Sequence, residues 1–326
     1  MSILRVAGGC VCSSALLLAV LGSSWNCIGK LSAQQPVLSA PGAAPRVENT
    51  LTEIKALLDA RKYHEAESAL RTYLSDNDLS AAAHEMLAYA LLRENKPTDS
   101  LKEYTRAAAI EKPSASMLEH VGQDYVLLGD WDDADKWTLR AVQTDPSDAD
   151  AWYSLGRIRY SEQRFRDAVS CFQQALKFSP KSVKAENNLG LAYEATNQTD
   201  AAVVAYRQAI EWQDQGPRDQ LSEEPLLNLG TVLLHRGEMT EAESLLTKAA
   251  TLAPQNPRIH EQLGHLYTRR ADYSAAEREL KQACELDPNS SSLHFLLGQA
   301  YRHLGKLEEA KAEFAASARL AKASNQ

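Results

Sequence analysis

The chain has 326 residues, 44% of them hydrophobic, and 35 Lys and Arg against 43 Asp and Glu give a formal net charge of −8. That balance excludes a generic polyanion-binding surface, because nucleic-acid modules carry a basic face. Of the five cysteines, Cys10, Cys12 and Cys27 crowd the start and Cys171 and Cys284 stand far apart, which excludes a disulfide framework.

Arg5 precedes an apolar core, CVCSSALLLAVLG, and then small and polar residues. This pattern predicts a secretory signal segment over 1–33, with cleavage after Ser24 or after Ala33. Val6 to Ile28 approaches the length that spans a bilayer, so an uncleaved N-terminal membrane anchor is the alternative. Residues 34–46 (QQPVLSAPGAAPR), rich in Pro, Ala and Gly and without periodicity, read as a flexible linker.

From Val47 onward the chain repeats itself. Gly122, Gly156 and Gly190 are 34 residues apart, Ala88 holds the same place one period earlier, and Gly230, Gly264 and Gly298 resume the spacing. Ala134, Ala168, Ala202, Ala242, Ala276 and Ala310 form a second such series, and Pro146, Pro180, Pro254 and Pro288 a third. Within one period, apolar residues at 152, 155 and 158 and then at 165, 168, 169, 172, 175 and 176 recur at helical spacing in two runs. Ser161 to Arg164 separates the runs, so each period is a helix–turn–helix pair whose small residues sit where the helices meet. Such a pair cannot bury both apolar faces by itself and needs a copy on each side. Gly190 to Gly230 spans 40 residues, which places an insertion at 213–222. The expected organisation is therefore five repeats over 47–212 and three over 223–326, the first degenerate and the last helix capping the array.

The best copy, Ala149 to Ser182, opens with Trp152, Leu155 and Gly156, continues with Ala168 and Phe172, and closes at Pro180. It resembles the tetratricopeptide repeat (TPR) family, with Arg159 and then Tyr160 where the family pattern has Tyr. The resemblance implies an all-α fold, an α-solenoid built as a right-handed superhelix of about eight hairpins.

No catalytic constellation stands out, and the chain reads as a non-enzyme without cofactor or metal. His260 and His265 in HEQLGH are five apart, about 100° off the shared face that a zinc-protease helix needs at four. Asp130, Asp132, Asp133 and Asp135 fall at a helix start, where carboxylates suit the helix dipole. Cys171 and Cys284 read as small apolar helix residues.

What remains is a surface. The resemblance implies a concave groove lined by the first helix of each repeat, which puts Tyr153, Arg157, Tyr160, Asn187, Asn188 and Glu194 inward. Asn228, Arg258, Gln262, His265, Arg269, Gln299, Arg302 and His303 continue the strip. Asn bonds a peptide backbone on both its edges and Arg clamps carboxylates, so the strip suits an extended chain or an acidic helix. Family members that bind chaperone tails use a set of Lys, Asn and Arg that this chain lacks; Tyr153, Arg157 and Glu224 stand at those places, and Asn188 alone fits. The expected function is an exported scaffold that binds other proteins or peptides, with no nucleic-acid partner, in the periplasm or secreted. A self-assembling oligomer is the alternative.

Overall fold

The computed structural model describes residues 44–217 and 221–323. The expected signal segment, residues 34–43 of the linker and residues 218–220 of the insertion lie outside them. Among the described residues there are sixteen α-helices and no strand. They pair as α1 (Ala44–Asp59) with α2 (Tyr63–Asp76), α3 (Ala81–Arg93) with α4 (Pro97–Ile110), and α5 (Ala115–Leu128) with α6 (Trp131–Thr144). Next come α7 (Ala149–Ser161) with α8 (Phe165–Phe178) and α9 (Val183–Ala195) with α10 (Thr199–Asp214). The last three pairs are α11 (Glu224–Arg236) with α12 (Met239–Leu252), α13 (Pro257–Arg269) with α14 (Tyr273–Leu286), and α15 (Ser291–His303) with α16 (Leu307–Ala323).

Each pair is a hairpin, and its turn is made the same way. One residue per turn adopts positive φ: Arg61, Asn95, Gly129, Gln163, Asn197, Gly237, Ala271 and Gly305, all between 58° and 84°. A left-handed residue ends the first helix and reverses the chain, which glycine and asparagine do at least cost. Many helix starts carry a side-chain cap, as where Ser114 accepts from the amide of Met117 at 3.0 Å and Asp148 from that of Asp150 at 2.9 Å.

The two helices of a hairpin approach closely because a small residue on the first faces a large one sixteen positions on. A Cβ on Gly156 would stand 2.6 Å from the Phe172 ring, and one on Gly190 would stand 2.5 Å from the Tyr206 ring. Phe172 and Tyr206 are fully buried, and so are Ala168 and Ala202 beside them. Within each unit, each second helix then packs on the first helix of the next hairpin, as α8 does on α9 and α12 on α13, while first helices such as α5, α7 and α9 touch in succession. This is the mutual cover that an isolated pair lacks.

The stack forms two compact units, one ending at Pro113 and the other beginning at Ser114. The smaller contains α1–α4, with a core around Ile54, Leu70, Leu87 and Leu91. The larger contains α5–α16. The insertion therefore does not divide the array into blocks of five and three hairpins, as the spacing alone suggests. The reason is packing: Ala202 and Tyr206 before the insertion share one buried cluster with Leu226, Leu229 and Leu233 after it. The insertion is also shorter than expected, since α10 continues to Asp214 with sixteen residues where α8 has fourteen. Similarly, α1 starts at Ala44, inside the expected linker, with Pro45 in the first turn where its missing N–H is harmless.

Polar groups repeat as strictly as apolar ones. His84, His260 and His294 each hold a carbonyl six residues back and a glutamate nineteen residues on. His84 lies 2.9 Å from the Asp78 carbonyl and 2.7 Å from Glu103. His260 lies 3.0 Å from the Pro254 carbonyl and 2.9 Å from Glu279, and His294 lies 3.1 Å from the Pro288 carbonyl and 2.6 Å from Glu313. Trp152 takes the carbonyl half of the arrangement, donating its indole N–H to the Pro146 oxygen at 2.9 Å. A second series joins successive hairpins: Lys96 to Glu67 at 2.8 Å, Arg164 to Asp135 at 3.3 Å and Lys306 to Glu277 at 2.6 Å, each 29 residues apart.

Two expectations follow. Gly190→Ala should force the Tyr206 ring out of its place and cost about 1–3 kcal/mol, read as a lower urea midpoint at unchanged helicity. Burial by itself pulls the His294 imidazole down, but the Glu313 carboxylate and the Pro288 carbonyl outweigh it and hold its pKa above the usual value. A raised folded pKa contributes stability that is complete below the unfolded pKa and is lost as pH rises through the folded one. His294→Phe should therefore lower the urea midpoint most near pH 5.5, with the gap narrowing towards pH 8.5; a gap that widens with pH contradicts the charged clamp.

The first-helix face of the larger unit

All fourteen residues expected to line the binding strip fall on first helices of the larger unit, α7, α9, α11, α13 and α15. Arg157, Arg258, Arg269 and Arg302 are exposed, and Tyr153, Tyr160, Asn188, Asn228, Gln262 and His265 are half-buried. Asn187 departs from the expectation: only 2% of it is exposed. Its side-chain oxygen accepts from the Asn228 amide at 3.0 Å, so it joins hairpins instead of facing outward.

That bond belongs to a ladder. Ser154 donates to Glu119 at 2.5 Å and the Asn188 amide donates to the Tyr153 hydroxyl at 3.3 Å, each linking a first helix to the next one 35 residues on. Asn228 and Asn187 are 41 apart, the same step lengthened by the six inserted residues. Four consecutive first helices are thus tied at one level across the insertion. The asparagines that looked available for a peptide are partly spent on one another, because a half-buried amide without a partner would be costly.

The exposed chemistry gathers around Tyr153. Its ring carries the Lys184 ammonium 4.7 Å from its centroid and the Arg157 guanidinium 5.9 Å away, while its inner side meets Phe172 at 6.0 Å. Burial raises the pKa of the Tyr153 phenol, so the hydroxyl stays protonated. Lys184 pairs with Asp150 at 2.8 Å. It was absent from the expected strip although the register contains the signal: the two positions are one period apart (184 − 150 = 34). Arg157, Arg258 and Arg302 make no ion pair among the described residues, which leaves three exposed guanidinium groups on this face. Three of its acidic groups are perturbed or engaged. Burial pushes the carboxyl of Glu119 up and that of Glu186 up to about 6, and Glu194 accepts from the Tyr206 hydroxyl at 2.5 Å.

Further along, Gln262, His265 and Arg269 line a small cavity of about 140 Å³ with Leu234 and His235. Arg269 donates to the Leu234 carbonyl, and burial lowers the pKa of His265. His260 is held by Glu279 and Pro254 inside its own hairpin, so the HEQLGH run does not assemble a two-histidine metal site. The acidic run is also accounted for: Asp130 caps α6 by accepting from the Asp133 amide at 3.2 Å, and Arg159 holds Asp135 at 3.0 Å. Cys171 and Cys284 are buried, and burial pushes the Cys171 thiol up and the Cys284 thiol up to about 12, which makes both poor nucleophiles. In the smaller unit, ligand atoms of His64, Glu67 and Glu94 lie within 4.8 Å of one another. The Lys96 ammonium already bridges the two carboxylates at 2.8 and 2.6 Å and holds Glu67 down at about 2, so a cation of the chain's own fills that place.

Helical hairpins in a 34-residue register, with a polar first-helix face and no assembled catalytic group among the described residues, define a helical-repeat binding scaffold. Models of the tetratricopeptide repeat match residues 51–116, 122–165, 184–215, 222–289 and 279–312, and a TPR repeat model matches 156–197. The chain belongs to the tetratricopeptide repeat family, whose members mediate protein–protein interaction. Among curated proteins it is similar to the mitochondrial import receptor subunit TOM70 of Saccharomyces cerevisiae, 23% identical over 173 residues, covering 52% of this chain and 28% of that protein. It is also similar to the peroxisomal targeting signal receptor of Komagataella phaffii, 29% identical over 116 residues, 35% of this chain and 19% of the receptor. The protein O-mannosyl-transferase TMTC1 of Homo sapiens matches at 29% over 173 residues, 52% of this chain and 19% of that enzyme. The chain thus spans less than a third of the length of each of these relatives. Among solved structures, a tetratricopeptide repeat protein from Parabacteroides merdae superposes with a TM-score of 0.58 at 19% identity, covering 79% of this chain and 99% of that one. The Cut9–Hcn1 structure gives 0.61 at 16% identity over 83% of this chain and 52% of that one.

Proposed function

We propose that the protein is an exported, non-enzymatic adaptor that holds an acidic, extended segment of a partner protein along the first-helix face of α7–α15. The observation that carries this reading is the half-buried Tyr153 ring flanked by the Arg157 and Lys184 cations, continued by the unpaired Arg258 and Arg302. The chain has a net charge of −8, yet this face carries four exposed cations, Arg157, Lys184, Arg258 and Arg302, along the Tyr153 strip. An aromatic face bearing cations stacks apolar and amide groups, while free guanidinium groups clamp carboxylates in two-pronged fashion. Two of the curated relatives are receptors by name, which supports a binding role rather than a catalytic one. Asn187 has no part in this reading, since it is buried.

Replacing Arg157, Lys184, Arg258 and Arg302 together by Ser touches only exposed side chains. The expected result, by fluorescence anisotropy with a labelled twelve-residue Asp- and Glu-rich peptide, is at least a tenfold loss of affinity at an unchanged urea midpoint. Binding of the unaltered protein should weaken steeply with salt. Equal affinity of the two proteins removes the cationic strip as the binding surface.

Export is the second half of the proposal and rests on the apolar core behind Arg5. Sequencing the N-terminus of the mature protein from its native host should find a chain starting near residue 25 or 34. A mature chain that still begins at Met1 leaves the anchored alternative.

A further inference from the structure

The six inserted residues do more than lengthen a loop. Between the end of α10 and the starts of α9 and α11 lies a cavity of about 520 Å³, several times the volume of the one beside His265. Trp212, Pro217, Pro225 and Val183 supply the apolar part of its lining, and donors supply the rest. Lys181 and Lys184 lie on the lining, with the first turn of α9, whose cap residue Ser182 makes no side-chain bond to the free amides of that turn.

Two buried carboxamides complete the set. Asn187 is 2% exposed and Gln213 is 4% exposed, and both line the cavity. The oxygen of each is taken, in Asn187 by the Asn228 amide at 3.0 Å and in Gln213 by the Ser222 amide at 3.2 Å. Among the described residues neither side-chain NH₂ donates to anything. Both NH₂ groups therefore keep their donor capacity at the hollow that the two residues line. Among the described residues Glu224 is the one carboxylate on the lining, and it is exposed.

We infer that this cavity binds a carboxylate carried on a flat apolar ring, with the ring against Trp212 and the prolines and the carboxylate among Lys181, the Asn187 and Gln213 amides and the start of α9. Neutral donors and ammonium groups converging at a positive helix end select an anion, and an indole beside two proline rings selects a flat apolar body. Volume and lining match those of small-ligand sites, apolar with a few convergent polar groups. The site is independent of the cationic strip except for Lys184, which borders both. Free aromatic acids and the C-terminal aromatic residue of a polypeptide share this chemistry.

The test is saturation-transfer NMR on the full chain, with 3-phenylpropionate as probe, 3-phenylpropionamide and acetate as controls, and a tetrapeptide ending in Phe as either free acid or amide. The expected result is saturable binding of 3-phenylpropionate with a dissociation constant of about 1–10 mM, and at least tenfold weaker binding of the amide and of acetate. Trp212→Ala and Lys181→Glu should each weaken it at least tenfold, and Glu224→Gln should strengthen it. Lys181 is exposed, so that variant keeps the test decisive should Trp212→Ala disturb folding. A free-acid tetrapeptide that binds at least tenfold tighter than 3-phenylpropionate assigns the site to chain termini, and the reverse order assigns it to free acids. Equal binding of acid and amide, or full retention by Lys181→Glu, overturns the inference. Arg157→Ser should leave probe binding unchanged, which separates this outcome from failure of the cationic strip.

Discussion

Everything in this molecule depends on how near the two helices of a hairpin can come. A residue without a side chain, or with a methyl group alone, lets the facing ring or leucine lie flat against the first helix: Gly156 under Phe172, Gly190 under Tyr206, Gly264 under Leu280. The same contact recurs at Ala88 and Tyr104 in the smaller unit, where Tyr104 is 2% exposed. Because the pair of positions is always sixteen apart, the helices meet at one depth in each hairpin, and every hairpin presents the same flank to its neighbour. Interiors pack close to crystal density, so a single added methyl at that depth displaces a buried side chain rather than filling slack.

A uniform flank has a second consequence, in the polar groups. When identical hairpins stack, a donor on one level meets the same acceptor on the next at a fixed sequence distance. The ion pairs 29 apart and the first-helix ladder at 35 are both products of that rule. The ladder is the most telling, since at the insertion its step becomes 41 without losing the bond. The six added residues leave the contact between α9 and α11 in register. Burial of apolar surface is indifferent to small slips along a helix, whereas a hydrogen bond fails within a few tenths of an ångström. The polar series therefore sets register in a stack whose apolar faces would tolerate several.

The fold was legible because its information is redundant. Glycine, alanine and proline series each report the period, and a helical pattern repeated over eight hairpins is hard to mistake. The left-handed turn residue was not read from the sequence, although Asn95, Gly129, Asn197, Gly237 and Gly305 stand at the repeat spacing, and the structure shows that Arg61, Gln163 and Ala271 adopt the same conformation. The face was legible only in outline. Spacing puts a residue on a helix side, but whether its polar atoms are free depends on the neighbour one period away. Asn187 and Asn228 look alike in sequence and are bound to each other in space. Lys184 was missed because it was judged alone rather than against Asp150. The division into units was not legible either, since the visible irregularity at 213–222 is bridged by a continuous core, whereas the break at Pro113 has no insertion to mark it.

A strictly periodic stack offers a partner the same shallow surface at every step, which favours extended segments and discriminates poorly among them. Selectivity then has to come from departures from the period. Two departures are present on the larger unit. One is compositional: cations and an aromatic ring collect on α7 and α9 of an otherwise acidic chain, while the carboxyls of Glu119 and Glu186 are pushed up by burial. The other is geometric: a hollow lies beside the end of α10 and the starts of α9 and α11. Asn187 takes part in both the ladder and the hollow, its oxygen bonded to the Asn228 amide and the residue itself on the lining. A residue that serves the scaffold on one atom and the site on the next ties the geometry of the site to the integrity of the repeat. An anion seated there would reinforce the α9–α11 step, since it binds the assembled step and not the open chain.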